Sequence, residues 1–109
     1  MAITANVNLG NGVSASSCYI IIPNAYVKKF RPEKDGESAS IKLIYNVAIY
    51  ENKSAADTLD IGQRLRKKIN CPTVDSFKID YDVTTTDNPW KLAYTHLKTN
   101  SSLSSVADA

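Results

Sequence analysis

Along Ser40–Tyr50 the chain alternates with period two. Ile41, Leu43, Tyr45, Val47 and Ile49 fall on one face; Lys42, Asn46 and Tyr50 fall on the other, with Ile44 and Ala48. Alternation of this kind predicts a strand with one face in the core and the other partly covered, near the middle of a sheet. Ile3, Ala5, Val7 and Leu9 alternate with Thr4, Asn6 and Asn8 and predict a first strand. Gly10-Asn11-Gly12 follows, residues that tolerate the positive φ of a tight hairpin turn. Cys18–Ile22 is a dense apolar run that Pro23-Asn24 interrupts. Proline lacks a ladder donor, so a bulge or edge position is expected there, with the strand resuming over Ala25–Phe30.

Arg31–Glu37, with its Pro and Asp-Gly, reads as an exposed connection, and Glu51–Asp57 as a surface turn. Leu59–Cys71 fits two patterns. Ile61, Leu65 and Ile69 are four apart as in a helix, while Leu65, Ile69 and Cys71 also fit alternation. Gly62 costs a helix about 1 kcal/mol relative to Ala, which tips the expectation to a strand. Ser76–Val83 predicts another, with Phe77, Ile79, Tyr81 and Val83 opposed to Lys78, Asp80 and Asp82. A helix then opens at Asn88 (cap) and Pro89, with Asp87 beside its positive end. Trp90, Ala93, Tyr94 and Leu97 form its apolar stripe, and all four are expected in the core. Residues 100–109 are serine-rich, with Leu103, Val106 and Ala107 as apolar anchors, and read as a weakly docked segment or an interaction tail.

These elements predict a single domain over residues 1–109, mainly antiparallel β (a small sandwich or partly open barrel) with one C-terminal α-helix. With 43% hydrophobic and 22% charged residues, the composition is that of a folded domain rather than a disordered chain. A net charge of +2 gives no reason to make nucleic acid or an anionic membrane the main partner. The first residues lack a basic stretch followed by an apolar block, so no secretory signal is expected. Cys18 and Cys71 have neither metal-ligand nor disulfide-scaffold spacing and are expected to be buried free thiols.

No catalytic, cofactor or metal motif appears. His96 has no patterned acid or cysteine partner. Asp80 and Asp82, with Asp75 and Asp87 nearby in sequence, could hold a hard cation but match an ordinary solvent-facing strand, so no metal is expected. The serines form no nucleophile elbow, and Gly10 and Gly12 lack the helix and Lys of a phosphate loop. Arg64-Leu-Arg-Lys-Lys68 together with the tyrosines raises an OB-like binder of single-stranded nucleic acid as an alternative. The basic run is local, however, and the tyrosines do not gather with it.

Three stretches in order carry a resemblance: Gly12-Val13 leading to Cys18-Tyr19-Ile20, then Ile44 through Lys53, then Ala93 through Thr99 followed by Val106-Ala107-Asp108. The chain resembles a group of small tailed-bacteriophage proteins from the virion structural region, often encoded near tail or baseplate genes. Members tend to show an opening strand pair, a long central strand ending in a tyrosine and a charged turn, and a closing helix. The resemblance implies a non-enzymatic virion subunit of the tail or baseplate, made in the host cytoplasm. Its implied partners are other virion proteins and further copies of itself, with no membrane partner; a capsid cement or decoration protein is the close rival.

Overall fold

The computed structural model describes residues 2–10, 12–32, 36, 39–71, 73–82 and 84–109. The expected Gly10–Gly12 turn, the Arg31–Glu37 connection and the end of the Ser76–Val83 strand include Asn11, Glu33–Asp35, Glu37 and Val83, which lie outside the described residues. Six strands form one mainly antiparallel β-sheet that is not closed into a barrel. In chain order the elements are β1 (Ile3–Gly10), β2 (Val13–Phe30), β3 (Ser40–Tyr50), α1 (Lys53–Ala56), α2 (Ile61–Lys67), β4 (Lys68–Ile69), β5 (Ser76–Asp80), α3 (Pro89–Leu97) and β6 (Leu103–Asp108). The sheet runs β4-β3-β2-β1-β6, with β5 also on β3.

The strand predicted over Ser40–Tyr50 is β3, with those bounds, and it has strands on both sides. Gly10 (φ +91°) and Gly12 (φ +77°) take the backbone conformation that the β1–β2 reversal was expected to need. β2 continues through Pro23 as one long strand, and the expected bulge lies between Ile21 and Asn24. There Ile22 and Pro23 oppose the single residue Val47, since Ile21 pairs with Ala48 and Asn24 with Asn46. The extra residue shifts the alternation along β2. Before the bulge, even-numbered Cys18, Ile20 and Ile22 face the core; after it, odd-numbered Ala25 and Val27 share the face of Tyr45 and Leu43.

One sheet face meets α3. Ile3, Val7, Ile20, Leu43, Tyr45, Val47, Ile49 and Leu97 are buried there with Ala93, Tyr94, Cys71 and Val74. Each large side chain buried in this way contributes about 1.5–3 kcal/mol, enough to fix the helix on the sheet. Among the described residues the opposite face is covered at one end, where Ala56 of α1 packs on Ala48 and Tyr50.

Four sequence expectations are corrected. Leu59–Cys71 is not a strand: α2 occupies Ile61–Lys67, and only Lys68–Ile69 are extended. The Asp60 carboxylate accepts the Gln63 amide at 3.0 Å, and Arg64, Arg66 and Lys67 complement the negative helix end, outweighing Gly62. Glu51–Asp57 is more than a turn, because Asn52 caps α1 by accepting the Ala55 amide at 2.9 Å. Trp90 is 43% exposed rather than core; it sits in the first turn of α3, at the rim, and its indole N–H donates to the Ile22 carbonyl at 3.1 Å. Residues 103–108 are no loose tail but strand β6 on β1, with Leu103 buried and the Ala109 amide donating to the Ala2 carbonyl at 3.0 Å.

Candidate functional site

The residues that could carry chemistry hold structural bonds. The Tyr45 hydroxyl and His96 Nδ1 lie 2.5 Å apart, and Tyr45, Phe77 and His96 form a ring cluster with centroids 5.3–5.8 Å apart. Burial pushes the Tyr45 hydroxyl well above its ordinary pKa, so it stays protonated and serves as a hydrogen-bonding group. Asp80 is ion-paired with Lys42 across the β3–β5 ladder. Asp82 lies past the end of β5 and accepts the Thr84 hydroxyl (2.7 Å) and amide (2.9 Å), bonds that hold its carboxyl below the usual range. Asp87 pairs with Lys91 one helical turn away.

A groove of about 390 Å³ between β5 and α3 is lined by Asp80, Asp82 and His96 among others, so three sequence candidates share one hollow. Among the described residues, however, no three His, Cys, Asp or Glu side chains converge as a cation site. Cys18 and Cys71 are buried and free; burial, then the Glu51 charge, pushes the Cys18 thiol up and makes it a poor nucleophile.

The unusual surface is at α2. This helix buries none of its residues, yet Ile61 and Leu65, one turn apart on a single stripe, are 63% and 61% exposed. Leu59, at its entry, is 94% exposed. Beside Leu65, a groove of about 330 Å³ opens between α2 and the sheet, floored by Ile21, Ala48 and Tyr50, with Arg64 and Lys68 among its lining residues. Arg64 also donates to the Thr58 carbonyl (3.4 Å) and Lys67 to the Thr58 hydroxyl (3.2 Å), tying the basic end of α2 to its entry. The sequence singles out the Arg64–Lys68 run for its charge, and the helical spacing of Ile61 and Leu65 is set aside there because of Gly62. The signal for a helix was present in Asp60 and Gln63, the spacing of a capping box. Nothing in the sequence could show that its apolar stripe is left uncovered.

Among the described residues no helix is long and apolar enough to cross a membrane. No family model, curated protein or solved structure matches this chain.

Proposed function

We propose that the chain is a non-enzymatic structural subunit of a tailed-phage virion, in the tail or baseplate, that works through contacts with neighbouring subunits. The observation that carries the contact role is α2, a helix whose apolar stripe is left exposed among the described residues. Water-exposed aliphatic side chains grouped on one element are characteristic of an interface. The resemblance along β2, β3, α3 and β6 supports the virion setting. The bonding of Asp80, Asp82 and His96 supports a structural use of these groups.

Purified, salt-washed particles analysed by mass spectrometry test this reading. The chain should be present at fixed stoichiometry, and Leu65→Glu should lower its incorporation while leaving its melting temperature unchanged, because Leu65 is exposed in the isolated domain. A chain absent from washed particles and soluble in the infected-cell lysate would overturn the proposal.

A further inference from the structure

We propose that the sheet face opposite α3 binds an acidic, extended segment of a partner protein. The inference rests on the assembly role and specifies the chemistry of what is contacted. Cross-strand partners share a face, so the ladder assigns this surface residue by residue. Tyr26 lies opposite Ile44, Lys28 opposite Lys42, and Phe30 opposite Ser40; on the other flank of β3, Lys78 opposes Ile44 and Lys68 opposes Tyr50. The bulge at Ile22-Pro23 is what brings Tyr26, Lys28 and Phe30 to this side.

Charge on this strip is one-sided. Among the described residues of the ladder and of the groove beside it, Arg64, Lys68, Lys28, Lys42 and Lys78 meet one carboxylate, Asp80, which is engaged by Lys42. Lys28 and Lys78 both sit over the Phe30 ring, 5.3 and 4.9 Å from its centroid, and neither makes an ion pair among the described residues. Packing two ammonium groups around one ring concentrates positive charge and leaves both free to meet carboxylates. The groove beside Leu65 adds an apolar slot at the other end of the strip. From Pro23 to Phe30 the strand advances about 23 Å, the span of about seven or eight extended residues. A segment with apolar side chains for the slot and carboxylates for the lysines fits both ends. Nucleic acid would satisfy the lysines and could stack on Tyr26, but it offers nothing aliphatic to Leu59, Ile61 and Leu65. A protein partner is therefore favoured.

NMR titration of the full chain with about eight-residue peptides tests this: one alternates leucine and aspartate, one leucine and lysine, one serine and aspartate. The leucine–aspartate peptide should shift the Ile21, Tyr26, Lys28, Leu65, Lys68 and Lys78 resonances, and bind more tightly than the serine–aspartate one. It should lose affinity as salt is raised. Lys28→Glu with Lys78→Glu should weaken binding about tenfold or more while the domain melts normally. Equal response to the leucine–lysine peptide, shifts confined to other surfaces, or no response would overturn the proposal. Tighter binding of oligothymidylate to the same resonances would also overturn it, and would assign the face to nucleic acid. Mass spectrometry of particles decides the virion setting independently, so the two readings can fail separately.

Discussion

Replacing Tyr94 by Phe removes one oxygen from the core and keeps the ring. That hydroxyl accepts the Ile22 amide at 2.9 Å in a buried setting. Ile22 lies in the bulge, where the β3 register skips, and β1 reaches only as far as Ile20, opposite Ile3. Tyr94→Phe therefore leaves a strand amide buried without its acceptor. An unmet buried donor costs about 1–3 kcal/mol, partly offset because the hydroxyl itself no longer has to be desolvated. The expected loss is about 1–2 kcal/mol, a fall of about 4–8 °C in melting temperature for a domain of this size. Urea unfolding followed by tryptophan fluorescence measures it, and an unchanged m-value would show that the loss belongs to the native state. A change smaller than about 0.5 kcal/mol would refute the view that α3 completes the hydrogen bonding of β2.

Trp90→Ala should cost about 2 kcal/mol, roughly half the value for a fully buried indole, because Trp90 is 43% exposed; a loss above about 4 kcal/mol in urea unfolding followed by far-ultraviolet circular dichroism would show full burial. Burial raises the hydroxyl pKa of Tyr45 and Tyr94 above the ordinary 10.0, so the folded state holds protons that the unfolded state releases. Stability should be fully present below pH 10 and fall as pH rises above it, with Tyr45→Phe flattening that slope; a tyrosinate absorbance titration with all six tyrosines ionising together would refute this. Ending the chain at Asn100 removes β6 and buried Leu103, and should cost more than about 2 kcal/mol; a melting temperature equal to that of the full chain would restore the reading of these residues as a loose tail.

The sheet was legible where local pattern and tertiary role agree. β3 alternates cleanly because it has strands on both sides and core on one face, and the Pro23 bulge follows from a missing amide. Asn88 and Pro89 announced α3 because capping is local chemistry; the Asn88 side chain accepts the Lys91 amide at 2.8 Å. The short helices were less legible. α1 and α2 rest on one cap each and bury little, so they imprint no full apolar stripe. Trp90 lies on the right stripe but in the first turn, where the sheet no longer covers it, and periodicity carries no information about where a neighbouring layer ends. The basic face was hidden for a related reason. Counting alternate residues from Cys18 through Phe30 puts Lys28 beside the core, and only the extra residue opposite Val47 moves it to the face of Lys42 and Lys78.

The single-sided pairing of β2 beyond Ile22 also bears on how the domain breathes. Near Ile20 the strand lies between β1 and β3 with core side chains beneath it; near Phe30 it pairs, among the described residues, with β3 alone, and Lys28 and Lys29 are exposed. Opening the Lys28–Phe30 end of the hairpin therefore separates one ladder before the core residues Leu43 and Tyr45 are reached, whereas parting it at Ile20 requires global unfolding. Amide exchange should grade along this one strand from near-solvent rates at Phe30 to the slowest in the protein at Ile20. One continuous strand then joins an end that opens locally, where a partner can be received, to a segment held on both sides.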